Sequence, residues 1–471
     1  MATPINENSF HPAENENSQK RERSRFLYIS SIIITRMFEV PFQGSNGAGE
    51  VETVEEFLLE LRHYEGDPSE MSFDGWTFTD IDFNHHDVLP LWDKFDWTGA
   101  VFYGCIFPTS LDEVRARGAR AVAQLENIPF KAFRSFMYTQ DELEEKDAAI
   151  YKFYLEDTTL NAKLAQQIHD HFMQDALFDY LENKSVVSIM GGHQLKRASP
   201  SYRDVASMAH RLAKRGFLVA SGGGPGAMEA CNLGAYMFQH SDEELGEAIA
   251  LMIAHQDPSV EHEYQDRKGP AAVITKYGKP TFQPSLSIPT WKYGHEPTNM
   301  FGTWVCKFFS NAIREDGLLD ISNAGIVYTP GSAGTRQEIF QAACGNHYAP
   351  DGHEKPTVFY DTAFWTETGI PQVLCSVSKG RPFAQWIIES DDVDKIVRRL
   401  DEFREENNLP VLTLKRLQSK FWMREYDVPE GCEIFTCNAQ QREDRHKLRD
   451  ERSKRKARQP TDTLPKINYD A

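Results

Sequence analysis

Two glycine-rich stretches carry the residues of this chain best suited to chemistry. In Gly222-Gly-Gly-Pro-Gly-Ala-Met-Glu229 the glycines lack Cβ atoms, so backbone N–H groups can close on an anion. A helix starting just behind them adds its positive end. In Pro330-Gly-Ser-Ala-Gly-Thr-Arg-Gln-Glu338 a second such cradle is followed by a carboxylate. A carboxylate held close to a bound sugar phosphate suits a reaction in which positive charge develops on the sugar. Each stretch also has a plainer reading. The first can be a tight strand-to-helix turn without a ligand. In the second, Thr335 and Glu338 have the S/T-x-x-E spacing of a helix capping box.

Other chemistries find less support. The first stretch formally matches G-x-G-x-x-A, a dinucleotide fingerprint, but it follows the second strand of its unit rather than the first. The acidic run Asp242-Glu-Glu244 precedes a strand-like run, Ile249 to Ile253, instead of ending one. His169-Asp170-His171 invites a metal, yet helical side chains at i and i+2 diverge by about 200°, so one ion does not take both imidazoles. No lysine stands in a recognisable pyridoxal-phosphate context. The seven cysteines show no paired metal spacing, Cys432 and Cys437 being the closest pair. They are read as reduced thiols of a cytosolic protein.

The loops need strands before them and helices behind them, and the chain supplies both. Ser185 to Met190 is a β-rich run ending in Gly191-Gly192, and Ser199-Pro200 caps the next helix. Val205, Met208, Ala209, Leu212 and Ala213 form the apolar stripe of that helix, and Gly216 ends it. Phe217 to Ala220 and Ala324 to Tyr328 are the strands that run into the two glycine stretches. Strands alternating with helices predict a mostly parallel sheet with helices on both faces, and the glycine turns then fall at the carboxyl ends of its strands. Before this region, residues 26–140 read as a smaller N-terminal α/β domain, with a strand at Trp97–Tyr103 and a helix over Ser110–Leu125. Residues 141–184 read as a helical connector with Tyr154, Leu160, Leu164 and Ile168 facing inward. The α/β unit runs over 185–407, with a last helix at Val393–Glu406. An appendage covers 408–440, and polar tails cover 1–25 and 441–471. No internal repeat is evident.

Composition bounds the function. The 471 residues, 40% hydrophobic and 26% charged, fit a globular protein of roughly two to four domains at ~150 residues each. That excludes a small disulfide scaffold and a wholly disordered chain. A formal net charge of -19 repels polyanions, so no nucleic-acid partner is expected. Small anions remain open, since backbone dipoles can hold them. No stretch approaches the ~20 apolar residues of a membrane span. The best, Phe26 to Thr35, reads as a buried strand, and no membrane partner is expected.

Taken together, GGGPGAMEA and PGSAGTRQE, each with a strand before and a helix after, resemble the LOG family of Rossmann-like proteins. That family includes cytokinin riboside 5′-monophosphate phosphoribohydrolases and broader nucleotide 5′-monophosphate nucleosidases. Its second motif usually reads P-G-G-x-G-T-x-x-E, matched here at Pro330, Gly331, Gly334, Thr335 and Glu338. The resemblance covers about residues 185 to 400. It implies a Rossmann-like fold and hydrolysis of the N-glycosidic bond of a nucleoside 5′-monophosphate to free base and ribose 5-phosphate. It further implies a homodimer, with no metal and no redox cofactor. Glu338 and Arg314 are the implied catalytic pair. Gly223, Gly224, Gly226, Met228, Glu229, Gly331, Ser332, Gly334 and Thr335 would bind substrate, and Ile288 to Asn299, resembling the family's P-x-E…N loop, would add Glu296 and Asn299. Trp291 and Tyr293 in that loop could stack a purine. Two departures stand out. Ser332 replaces the second glycine, a strain of about 1 kcal/mol if the position needs positive φ. Arg314, in Asn311-Ala-Ile-Arg-Glu-Asp316, is offset by one position and followed by Glu315. The competing expectation is a nucleotide-binding or sensing protein without turnover.

Two phosphate-suited loops would waste their binding energy on an unphosphorylated substrate. AMP or a related monophosphate is therefore expected to be cleaved while the matching nucleoside is not. Chromatography for free base checks this, and equal rates on AMP and adenosine would count against phosphate anchoring.

Overall fold

Alternating strands and helices build two parallel sheets in the computed structural model, which describes residues 50–63, 71–261, 263–293, 298–349 and 354–412. The expected tails at 1–25 and 441–471, the run Phe26–Thr35, Glu296 and all but the start of the expected appendage lie outside these residues.

The smaller sheet holds β1 (Glu50–Val51), β2 (Thr77–Thr79), β3 (Val101–Tyr103) and β4 (Arg120–Val122), parallel and in that order. It contains a repeat that the sequence reading missed. Thr77 pairs with Val101, Phe78 with Phe102 and Thr79 with Tyr103, and bridges Ser72–Asp96 and Asp82–Ile106 keep the same 24-residue offset. Aromatic rings stack at that offset too: Phe73 on Trp97 at 4.8 Å, Phe78 on Phe102 at 5.0 Å and Phe83 on Phe107 at 6.0 Å. Five residues separate successive rings within a coil, so each coil turns several corners and presents one ring per side. This is solenoid logic, in which each coil buries its face only against the next. The strand expected over Trp97–Tyr103 is cut short because Gly99 turns the chain at φ 78°, as Gly75 does one coil earlier. The helix expected over Ser110–Leu125 covers only Leu111–Ala116. Ser110 and Glu113 form its capping box, and Gly118 at φ 86° diverts the chain into β4.

The connector is two helices, Gln140–Glu156 and Leu160–Leu181. Between them the Asp157 carboxylate accepts the Thr159 N–H and hydroxyl, and Thr159 caps the second helix. The restart resets the helical phase. Leu160 is 74% exposed and Leu164 is exposed, contrary to expectation, while Ala162, Ala165, His169, Met173 and Leu177 face inward. Tyr154 and Ile168 are half-buried.

The larger sheet contains β5 (Val186–Met190), β6 (Leu218–Ser221), β7 (Ser285–Ser287), β8 (Trp304–Val305), β9 (Gly325–Tyr328), β10 (Thr357–Phe359) and β11 (Ile387–Glu389). Its order is β11-β10-β9-β5-β6-β7-β8, every pair parallel. The two-residue alternation of a strand is visible in β5. Val186 and Met190 join the core on one face with Met173, Leu318 and Trp365, while Val187 and Ile189 join the other with Val205, Leu233 and Leu400. Helices thus cover both faces in a Rossmann-like α/β fold. The expected helices at Pro200 and at Val393–Glu406 are present, capped by Ser199 and Asp392. The strand-like run Ile249–Ile253 is instead helical, within Asp242–Ala254. Ser241 and Glu244 form a capping box there, and Leu245, Ala248, Ile249 and Met252 make a buried stripe at helical spacing. Its acids therefore begin a helix, and the dinucleotide reading loses the strand-end acid it needs. Among the described residues no helix is long and apolar enough to cross a membrane.

Between β5 and β9 the chain reverses its direction of travel across the sheet. That switch point opens the crevice where such sheets receive ligands, and the turns after β5, β6 and β9 border it.

Because Phe102 is fully buried in the solenoid stack, Phe102→Ala is expected to cost about 3–5 kcal/mol. Denaturant unfolding of the variant measures this, and a loss under about 1 kcal/mol would contradict the stacked core.

Candidate functional site

The first glycine loop is buried and clamped from the side. Gly223 donates its N–H to Ser221 Oγ at 3.0 Å, so that N–H is not offered to a ligand. The Gly223 carbonyl accepts the Asn299 N–H at 2.8 Å, and Asn299 Nδ2 donates to the Gly224 carbonyl at 3.0 Å and to Asn232 Oδ1 at 2.9 Å. Asn232 also accepts from the Ser221 and Ser287 hydroxyls and donates to Ser285 Oγ and the Leu286 carbonyl. Asn299 thus shapes the loop from beneath, and with Pro225 and Glu229 it also borders a small recess closed by Arg267 and Pro270. Gly226 begins the wholly buried helix Ala227–Tyr236 at φ 69°, and a Cβ there would lie 2.5 Å from the His193 carbonyl oxygen. The Ala227 N–H reaches the Gly192 carbonyl at 3.1 Å, tying this loop to the turn after β5.

The second loop is tied to the same turn, because Gly192 donates its N–H to the Pro330 carbonyl at 3.0 Å. Its helix spans Ala333–Tyr348, with Ser332 at the cap position and φ −100°. Serine therefore takes the place of glycine without left-handed strain. The first backbone bond of the helix runs from the Arg336 N–H to the Ser332 carbonyl. The N–H groups of Ala333, Gly334 and Thr335 precede it, as orphan donors at a helix start do. Ser332, Ala333 and Gly334 are exposed. Thr335 crowds Gly331, where a Cβ would lie 2.2 Å from the threonine hydroxyl. Since the helix begins at Ala333, Thr335 is already inside it and Glu338 lies in its second turn. The capping box suggested by their spacing is not formed.

Glu338 faces Arg314 instead, with Oε1 3.6 Å from Nη1 and only 10% and 12% of the two side chains exposed. Arg314 projects from the helix Asn311–Ile321 and is aimed by Nε donating to the Ile288 carbonyl at 3.0 Å. Its Nη2 lies against Gly222, where a Cβ would approach to 2.2 Å. The glycine therefore makes room for the guanidinium. Met228, buried, closes the other side, its Sδ 2.7 Å from the same point. Glu315 bonds Asn311 and Gln337, linking the helices that carry Arg314 and Glu338. Burial pushes the Glu338 carboxyl up to about 7, Arg314 pulls it down, and Glu315 adds to the push.

Other expected site residues are placed differently. Both Glu229 oxygens are taken by Arg197 at 2.8 and 2.7 Å and one also by the Tyr202 hydroxyl, while Arg197 further binds Asp266, so Glu229 belongs to a buried ion cluster. Trp291 is buried, stacked on Phe309 at 4.4 Å and donating to Asp147, so it cannot stack a base. Tyr293 is 37% exposed. His169 and Asp170 are buried and bonded to each other, while His171 is exposed. Gly222, Ser221 and Asn232 are the participants that sequence reasoning missed. The available signal was Asn232, a lone amide in the apolar run AMEACNLGAY.

Fold and site define a Rossmann-like α/β protein with two glycine-bordered loops and a buried Arg–Glu pair at the switch point of its sheet. No protein-family model matches the chain, and no curated protein sequence matches it. Among solved structures, a molybdenum cofactor binding protein from the phototrophic bacterium Rippkaea orientalis is 14% identical with a TM-score of 0.28, the match covering 47% of this chain and 98% of that one. A structural-genomics target, TM1055, is 17% identical with a TM-score of 0.27, covering 46% and 99%. At this level of similarity neither neighbour bears on chemistry.

The raised Glu338 carboxyl predicts how stability responds to pH. Below its ordinary 4.5 the group is neutral both folded and unfolded, and burial costs nothing. As pH rises toward about 7 the unfolded chain releases the proton first, so the folded state loses stability; above that the cost is complete. Glu338→Gln, neutral throughout, is expected to raise the thermal midpoint over wild type more at pH 8 than at pH 5. Calorimetry at both values checks this, and an equal shift would contradict a buried, destabilised carboxylate.

Proposed function

We propose that the protein hydrolyses the N-glycosidic bond of a nucleoside 5′-monophosphate, releasing free base and ribose 5-phosphate. The observation that carries this reading is Glu338, a desolvated carboxyl facing one guanidinium beside the exposed start of a helix. The 5′-phosphate would rest on the N–H groups of Ala333, Gly334 and Thr335, where the helix dipole favours an anion. The two-loop resemblance to the LOG family supports the same placement. Bond cleavage proceeds through an oxocarbenium-like state. Ionised Glu338 stabilises that cation and orients the attacking water, whose proton it can accept because its pKa lies near neutrality. Arg314 offsets part of the burial that raises the Glu338 carboxyl, and offers its remaining N–H groups to the ribose phosphate.

A binding protein without turnover is the alternative. It drew on the serine at 332, the offset of Arg314 and a capping role for Glu338. The unstrained φ of Ser332, the reach of Arg314 to Glu338 and the position of Glu338 in the second helical turn favour hydrolysis. A homodimer belongs to the same proposal. Beyond the second loop, Phe340 and Tyr348 stand 46% and 79% exposed on the helix that carries Glu338, surface that a second copy can cover. The free thiols of Cys105, Cys231, Cys306, Cys344 and Cys375 fit a reducing, cytosolic setting.

Glu338→Gln keeps the shape and removes the charge. Loss of ~3–4 kcal/mol of transition-state stabilisation is expected to slow base release by roughly 10²–10³ with nucleotide affinity little changed. In wild type, kcat/KM should rise with pH through about 7 as Glu338 ionises, and this limb should vanish in the variant. Base release by Glu338→Gln at a near wild-type rate would refute the catalytic assignment.

A further inference from the structure

Arg314 depends on a residue outside the crevice. Asp170, on the helix Leu160–Leu181, is fully buried. Its Oδ1 accepts the Phe309 N–H at 2.9 Å and its Oδ2 the Ser310 N–H at 2.7 Å. Ser310 caps the helix Asn311–Ile321, and the Arg314 N–H makes the first backbone bond of that helix, to the Ser310 carbonyl at 3.1 Å. One carboxylate therefore fixes the two backbone groups from which the Arg314 turn hangs. Its negative charge also complements the positive helix start.

Asp170 is itself held. His169 Nδ1 lies 3.1 Å from Oδ1, and His169 Nε2 lies 2.8 Å from the Tyr138 hydroxyl. With Nδ1 donating to the carboxylate, Nε2 accepts from the phenol, which sets the tautomer of a neutral ring. Burial lowers the pKa of His169 and raises that of Tyr138, keeping both neutral. The Arg134 guanidinium sits 3.7 Å from the Tyr138 ring centre and makes paired bonds to Glu142 at 3.0 and 3.1 Å. Phe130 and Phe309 pack on His169 at 5.3 and 5.0 Å, and Trp291 at 5.7 Å. Burial is the larger cause that raises the Cys306 thiol and the Tyr154 phenol, the Asp170 charge adds to both, and Tyr138 also feels the charge of Asp147.

We propose that Asp170 is the positioning residue of the Arg314–Glu338 pair, setting through the Phe309 and Ser310 N–H groups the depth at which the guanidinium lies between Gly222 and Glu338. Asp170 does not touch the crevice. It acts by placing Arg314, so its loss should appear as an altered Glu338 rather than as weaker nucleotide binding. The inference rests on the hydrolytic reading for its kinetic part only.

The test is Asp170→Asn, which keeps the shape but replaces one accepting oxygen with a donor facing a backbone N–H. With AMP as substrate, kcat is expected to fall about 10–100-fold, the scale for misplacement by an ångström, while KM changes little. The pH at which activity rises should move upward, because Arg314 is what pulls the Glu338 carboxyl down. A second reading needs no turnover: the pH at which the stability difference between Glu338→Gln and its Glu338 parent levels off, compared with and without Asp170→Asn, should move upward as well, since that upper limit is set by the folded carboxyl. Tyr138→Phe, which frees His169 while leaving the carboxylate, should produce a smaller shift in the same direction and serves if Asp170→Asn does not fold. Unchanged pH positions in every folded variant would overturn the proposal, even if thermal midpoints fell. Absence of base release from wild type would instead defeat the hydrolytic reading and leave the stability comparison intact.

Discussion

A carboxylate kept from water with one imperfect cationic partner is the constraint around which this molecule is arranged. At 3.6 Å the Arg314–Glu338 contact falls short of a full hydrogen bond, so Coulomb attraction offsets only part of the desolvation cost. The rest must come from elsewhere in the fold. Arg314 is steered by a carbonyl at Ile288 and given space by a residue without a side chain at 222. Glu338 rides on a helix bonded by Gln337 to Glu315 on the helix opposite. A tighter pair would be more stable, and its carboxyl would titrate far below neutrality.

The two glycine loops do different jobs despite their similar composition. The one after β6 is interior, its amides and carbonyls spent on Ser221, Asn299 and neighbouring backbone. The one after β9 opens outward and leaves its donors at a helix start. Both meet at the turn after β5, which therefore acts as the shared floor of the crevice. The asymmetry follows from what covers each loop: the segment around Asn299 closes over the one after β6, whereas Ser332, Ala333 and Gly334 after β9 are exposed.

Much of this was legible in the chain. Strand–loop–helix alternation gave the larger sheet, Ser199, Asp392 and the helix stripe at Val205–Ala213 gave its helices, and motif order paired the two loops. The misses have physical causes. Spacing alone could not tell whether Thr335 begins a helix or sits within it, so Glu338 kept two readings until the cap appeared at Ser332. The three-residue break at Asp157–Thr159 hid the phase of the connector, which misplaced Leu160 and Leu164. The rings of the N-terminal coils recur every five residues along the chain, a period that neither the helix nor the strand template registers. Asp170 carried no assigned role beyond a metal reading that helical spacing had already excluded, because its partners, two backbone amides, are invisible in a sequence.

The solenoid has a consequence for how this protein can change over evolutionary time. Where β2 pairs with β3 at an offset of 24 residues held along the whole coil, the natural increment of length is a whole coil. Adding or losing one residue within a coil moves every later ring off its stack, whereas duplicating or deleting a complete turn leaves each ring above another ring. The step to the last strand, where Val101 pairs with Arg120 and Phe102 with Ala121, is already shorter and ends in a small side chain. That pattern is a taper: the stack closes by shrinking. The height of such a column therefore changes by discrete jumps, independently of the larger sheet.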